Sequence, residues 1–369
     1  MAPSVRPLPP SGAGAPRQAS PPTPAPLKTR VLDALTADSL VPAISQLSRG
    51  VGTIFMMHRF RDEALGMPGH SPVRLRENLA TLRRHRFRLV PLAALLDTLE
   101  AGEPVPARTV AFTVDDGYDD FARIAAPIFA EFDCPVTVFL TTGFIDDGLW
   151  GWWDVAFWAF AESPTRAASF AIGPNRVVLH YESRAERRLA ADRVIDLLKT
   201  VGADERAAAL DRMLEALELD LPARPPERYA VMSWDDVRRA SRAGVTFGPH
   251  TVTHPMLREL DDASAMHEIT GSWSRLRAEL PEALPVFCYP FGEDYAYSER
   301  DCALVRQAGL RAAITARQDY VGRAQFADPA GLDRFALPRF PYPDNRARCV
   351  KIAAGIERAQ LRLQQALAR

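Results

Sequence analysis

The chain has 369 residues, with 45 Lys and Arg against 46 Asp and Glu and 47% hydrophobic residues, the composition of a soluble globular protein. A net charge of −1 gives no field to hold nucleic acid or an anionic membrane surface, and the Lys and Arg are dispersed without interleaved aromatics. No stretch approaches the roughly 18 apolar residues of a membrane span. Four cysteines, Cys134, Cys288, Cys302 and Cys349, lack the paired spacing of a zinc or redox motif and fit a reducing compartment.

The first thirty residues are dominated by Pro, Ala, Ser and Gly. They lack the apolar core of a secretory signal, so a cytoplasmic location is expected. They also lack the apolar surface needed to fold, so residues 1–30 are expected to be a disordered, partly extended tail. The domain is expected over 31–369. Deleting residues 2–28 should leave folding and turnover nearly intact, which the yield of soluble truncated protein checks.

From residue 51 strand-like and helix-like segments alternate. Strands are expected over 51–57, 87–90, 109–114 and 136–140. Helices are expected over 72–85, over 91–101 with Pro91 in its first turn, and over 119–132. The rhythm then breaks. Between about 145 and 228 lie Trp-rich and Ala/Arg/Leu-rich segments with helical periodicity, notably 183–200 and 203–219. They read as a mostly helical insertion capping a site, or as an ordinary pair of helices in the βα alternation. The alternation resumes with helices over 234–243, 264–280 and 299–308 and strands over 245–247, 286–289 and 312–315. An amphipathic helix is expected from residue 345. Repeated βα units argue for a parallel sheet, here of about seven strands.

Asp115 and Asp116 close the apolar run at 109–114, where Gly117 must turn the chain. His250 and His254 follow a second strand-like run, and their spacing of four suits one face of a helical turn. Each motif alone has a bland reading, a solvated turn or a surface His pair. Together they supply one carboxylate and two imidazoles, which leaves Zn²⁺ a position for water, while the second carboxylate can take a proton from that water. A metal-dependent hydrolase is therefore expected. His70 and His85 read as solvated, His180 and His267 as structural, and Asp119 and Asp120 as the first turn of a helix.

These residues carry a resemblance. The pieces MMHRF (56–60), FTVDDGYDD (112–120), WWD (152–154), SWDDVRRASRAGVTFGPHTVTHP (233–255), FCYPFG (287–292) and ALPRF (336–340) resemble the polysaccharide deacetylases of the NodB-homology type, carbohydrate esterase family 4. The resemblance implies a distorted (β/α) barrel with fewer than eight units. It implies Asp115 as general base, and Asp116, His250 and His254 as ligands of a divalent metal, Zn²⁺ first among Zn, Co, Ni and Fe. The backbone N–H of Phe291 is the implied donor to the tetrahedral oxyanion. Three features depart from the family pattern. Cys288 stands where many members carry an Arg that orients the base. Leu337-Pro338-Arg339 replaces Leu-x-His, and the family's later Trp motif is missing.

His58 is the expected substitute acid, because an imidazole titrates near neutrality and can protonate a leaving amine. Its alternative is a His packed at a strand end. Arg339 is the expected group orienting Asp115, its alternative a surface cation. Substrate contacts are expected from Leu337, Pro290, Tyr289, Trp153 and Asp154, the Trp cluster being a sugar platform or an apolar helix face. The implied substrate is an N-acetylated amino-sugar glycan. Hydrolysis of a formamide or non-sugar amide, and a decayed carbohydrate binder, stay open. Oligomeric state leaves no mark in the sequence.

Overall fold

A computed structural model of the chain describes residues 39–327 and 331–358, so the Pro-rich segment over 1–30 lies outside the described residues. The strands are β1 (Val51–Met57), β2 (Arg88–Leu89), β3 (Thr109–Val114), β4 (Val136–Leu140), β5 (Ala167–Ile172), β6 (Asn175–His180), β7 (Thr246–Pro249), β8 (Val286–Cys288), β9 (Ala312–Ile314), β10 (Val321–Gly322) and β11 (Phe340–Pro341). β1, β3, β4 and β7 pair in parallel in that order, with Thr53 opposite Val110, Phe112 opposite Val136 and Thr137 opposite Thr246. β11 adds in parallel to the other side of β1, and β8 pairs in parallel with β9.

The sheet curls into a distorted barrel through sparse seams. Leu284 N–H donates to the Phe247 carbonyl at 2.8 Å, and Thr315 N–H to the Leu337 carbonyl at 2.9 Å. β1, β3, β4, β7, β8, β9 and β11 thus follow one another around a single ring. Outside this ring, β2 pairs in parallel with the start of β3, and β10 is antiparallel to the start of β1.

Every residue of β3 and β4 is buried, the continuous apolar run of a parallel strand covered on both faces. Side chains alternate between those faces. Phe55, Phe112 and Val138 join the layer beneath the outer helices, while Ile54, Ala111, Phe139, Val286, Ile314 and Leu337 fill the barrel interior. Helix α1 (Pro72–Arg84) starts at the Ser71 cap with Pro72 in its first turn and buries Leu75, Leu79 and Leu82 against the outer layer. The helix expected over 119–132 is interrupted. Residues Phe121–Ala125 form a π turn before a helix at Ala126–Glu131, where Pro127 removes one N–H from the ladder.

The stretch between β4 and β7 holds helices α2 (Trp152–Glu162), α3 (Arg184–Leu198) and α4 (Ala203–Ala216). It also holds an antiparallel hairpin, β5–β6, with Ala168 opposite Leu179. Phe160, Phe170, Ile172, Leu179, Tyr181, Val194 and Met213 form a core of their own there. The hairpin adds strand to a segment expected to be mostly helical; its burial alternates along β6, the pattern of a half-covered ribbon. His70 and His85 are not solvated: His70 Nδ1 lies 2.9 Å from Asp344 Oδ1, and His85 is buried.

Candidate active site

The C-terminal ends of parallel strands are where βα folds assemble their sites, and the chemistry-bearing residues of this chain meet there. Asp115 continues the face of Ala111 and Thr113, so its carboxylate enters the barrel interior. Asp116 and Gly117 then both take positive φ, 71° and 82°. That pair of left-handed residues breaks the strand and brings the second carboxylate onto the rim. A Cβ at Gly117 would lie 2.5 Å from Leu140 Cδ2, so a side chain there would have to displace Leu140. Asp116 has no glycine's freedom, and strain of this kind is typical of functional sites.

Arg339, which is 1% exposed, grips Asp115 with both arms of its guanidinium. Nη1 donates to Oδ1 and Nη2 to Oδ2, each at 2.8 Å. Nε donates to the Thr315 carbonyl at 2.9 Å, Nη1 also to Thr113 Oγ1 at 2.9 Å, and Nη2 contacts Cys288 Sγ at 3.3 Å. Burial pushes the Asp115 carboxyl upward, but the Arg339 charge and its two bonds outweigh it and hold the group below its ordinary value. Asp115 is therefore an ionised carboxylate with a fixed orientation.

Asp116 Oδ1 faces His250 Nε2 at 3.4 Å and His254 Nε2 at 3.3 Å, all three residues being buried. The spacing of four does not reflect a helical turn: residues 250–254 are irregular, with Thr251 at φ 65° and His254 at φ 62°. Glu268 pins this loop by accepting from the Val252 and Thr253 amides. The two imidazoles meet because the loop doubles back after β7.

The donor set fits a divalent metal. Asp116, His250 and His254 each offer a ligand atom within 4.8 Å of the others. His250 Nδ1 lies 2.7 Å from the Cys288 carbonyl, which only accepts, so that nitrogen carries the proton and Nε2 presents its lone pair to Asp116. Asp116 Oδ1 is buried and has no hydrogen-bond partner among the described residues. A lone pair and a carboxylate face each other stably only with a cation between them. Without a metal the cation must be a proton; burial opposes it, but the neighbouring Cys288 and Asp116 hold His250 well above its ordinary pKa. A second group, Asp115, His250 and Cys288, is already occupied by the Arg339 guanidinium.

A cavity of about 280 Å³ opens over this cluster, lined among others by His58, Arg59, Tyr118, Trp153, Asp154 and Phe291. His58 follows β1 at its rim end, 46% exposed, with Nε2 at 3.7 Å from Asp115 Oδ2. The Phe291 ring packs at 5.0 Å from His254 and 5.8 Å from Trp152 and Trp153. Its backbone sits at φ 61°, and no acceptor takes its N–H among the described residues. The adjoining Gly292 cannot carry a side chain, since a Cβ would come 2.4 Å from Ala316 N.

Trp153 and Asp154 reach the cavity as one network: Tyr118 O–H donates to Asp154 Oδ2 at 2.6 Å and accepts from Trp153 Nε1 at 3.0 Å. Burial pushes Asp154 up to about 7, so it keeps a proton close to neutrality. The other three expected substrate contacts are not at the cavity. Leu337 is fully buried in the barrel interior, where it bridges to Ile314. Tyr289 points into the packing behind the site, its O–H donating to the Phe335 carbonyl at 2.9 Å. Pro290 is buried in the turn before Phe291. Arg59 and Tyr118 escaped the sequence reading, although each directly follows a motif, His58 and Asp115-Asp116-Gly117. Arg59 Nε bonds Asp120 Oδ2 at 2.5 Å, and its guanidinium stacks 3.9 Å over the Tyr118 ring.

The family model for polysaccharide deacetylase matches residues 102–313, more than half of the chain. Poly-beta-1,6-N-acetyl-D-glucosamine N-deacetylases of Escherichia coli, strains K12 and O157:H7, are 36% identical over 61 residues, 16% of this chain. The match spans only 9% of the length of those relatives. Among solved structures, the Streptococcus pyogenes deacetylase PplD in complex with acetate superposes with a TM-score of 0.51 at 15% identity, covering 80% of this chain and 93% of that one. IcaB from Ammonifex degensii gives 0.51 at 14% identity, with 83% and 97% covered. These two likenesses extend the shared fold beyond the matched segment. With the strand-end carboxylates and histidines inside the matched residues, the chain belongs to the polysaccharide deacetylase family.

Proposed function

We propose that the protein is a metal-dependent N-deacetylase of an amino-sugar glycan of the N-acetylglucosamine type, releasing acetate and a free amine. The observation that carries this reading is the pairing of two carboxylates at one strand end, one clamped by Arg339 and one facing two imidazoles. Asp116, His250 and His254 would hold the metal, with Zn²⁺ first among the Zn, Co, Ni and Fe that this donor set suits. When bound, it would supply Lewis acidity to the acetyl carbonyl and to water.

The chain's own groups supply the rest. Asp115 accepts the proton of the attacking water, and Arg339 keeps its second oxygen from rotating away. The free N–H of Phe291 donates to the oxygen on which negative charge develops. As the C–N bond breaks, the leaving nitrogen needs a proton. His58 is positioned to give it, from the rim side of Asp115 and on the exposed lip of the cavity. The rings of Trp153 and Phe291 restrict water over the reacting centre, which strengthens every charge interaction within it.

Acetate release from a panel of N-acetylated and N-formylated oligosaccharides by metal-loaded protein tests the reading. Release of acetate from the N-acetylated members is the expected result; none from any member would overturn it. For the acid, His58→Gln should lower kcat by about 10²–10⁴-fold, the range of general acid–base contributions. An unchanged kcat would mean that another group protonates the amine.

A further inference from the structure

The cavity over the strand ends continues into a larger groove of about 910 Å³, sharing Met67, Pro68, Phe157 and Arg188 with it. Trp153, Phe157 and Ala161 lie four apart on α2, so this wall runs about 12 Å away from the reacting centre. Four arginines line the groove, Arg184, Arg187, Arg188 and Arg228, against a single carboxylate, Glu162.

Two of the four cations have a carboxylate partner and two do not. Arg228 pairs with Glu162 at 2.7 Å, and Arg188 meets Asp192 at 3.4 Å. Among the described residues, Arg187 bonds the carbonyls of Phe160, Ser163 and Thr165 and lies 5.0 Å over the Tyr181 ring, Arg184 bonds the Gly66 carbonyl, and neither meets a carboxylate. Arg184 opens α3 at its first position, where the helix dipole disfavours a cation. Its placement there opposes helix stability, as a functional feature can. Arg188 is held at the seam between the two cavities by stacking 3.7 Å over the Phe157 ring.

A second observation points the same way. Arg59 in the inner cavity and Arg228 in the groove are joined by an Arg59 Nη2 bond to the Arg228 carbonyl at 2.6 Å. Each has a buried guanidinium nitrogen, Arg59 Nη1 and Arg228 Nε, without a partner among the described residues. Buried unpaired donors are costly, and oxyanions satisfy guanidinium groups best.

We propose that this groove binds an anionic group of the glycan, a phosphoryl ester or a uronate carboxylate, at a distance from the N-acetyl group held at the strand ends. The assignment rests on the deacetylase reading for the identity of the glycan, and on the groove itself for the charge. Neutral chains would use the inner cavity alone.

The test compares three tetrasaccharides with the full-length protein: neutral N-acetylchitotetraose, the same chain bearing a phosphoryl ester, and one bearing a uronate. Binding is read by calorimetry and turnover by acetate release. One anionic chain should bind about tenfold tighter than the neutral one, with the advantage shrinking at high salt, and the anion that gains names the source. The variant Arg184→Gln, at a residue that lines the groove and not the inner cavity, should lose most of that advantage while binding the neutral chain unchanged. The side chain is exposed, and an unshifted thermal midpoint would confirm the fold. Equal binding of all three chains, or equal loss for all three in the variant, overturns the groove assignment. An anionic preference without acetate release leaves the groove standing and overturns the deacetylase reading instead.

Discussion

Asp115→Asn is expected to reduce acetate release by about 10²–10⁴-fold while leaving the metal bound. Asparagine keeps the shape of the side chain but cannot accept a proton from water. The substitution also acts on Arg339, because the two short bonds at Oδ1 and Oδ2 need two acceptors. An amide NH₂ would face a guanidinium N–H, donor against donor, in a buried site. The protein should therefore be less stable as well as slower. Turnover per bound metal separates the two effects, since a folded, metallated Asp115→Asn protein should remain inactive. Normal turnover in that species would place the base elsewhere.

The second large effect belongs to Arg339. Arg339→Ala should destabilise the fold by about 3–5 kcal/mol, the usual result of leaving one member of a buried ion pair without its partner. Four acceptor atoms lose their donor at once: both Asp115 oxygens, Thr113 Oγ1 and the Thr315 carbonyl. Arg339 also ties the ends of β3, β9 and the strand leading to β11, so loosening should spread across the barrel mouth. Arg339→Lys keeps the charge but not the fork; it should recover part of the stability and little of the activity. Denaturant midpoints and kcat for the two variants check this. A fully active Arg339→Lys protein would show that charge alone, not orientation, is what Asp115 needs.

Strands were legible wherever burial is two-sided. The apolar run TVAFTV and its neighbours at 51–57 and 136–140 stand at the expected positions because parallel strands covered on both faces need continuous hydrophobicity. Of the hairpin β5–β6, the run VVLHY at 177–181 was legible as strand-like, whereas its partner is brief and was not. At the site, the residue types were readable but the backbone that unites them was not. His250 and His254 converge through left-handed residues in a loop, and a spacing of four invites a helical reading. Arg339 lies more than two hundred residues from Asp115, and only the closing of the barrel brings them together. Leu337 and Tyr289 lie in motifs beside the site, yet their side chains alternate into the interior and the packing behind it. Motif position fixes a neighbourhood, whereas strand alternation decides which side chain reaches the cavity.

The proposed chemistry depends on a cation between Asp116, His250 and His254. Metal content of the protein, loaded with Zn²⁺, dialysed and measured by elemental analysis, tests it most directly. One metal ion per wild-type chain is expected, with loss of that metal in Asp116→Ala, His250→Ala and His254→Ala, because three protein ligands are the minimum of a catalytic site. Stoichiometric metal retained by a folded His254→Ala protein would contradict the assignment.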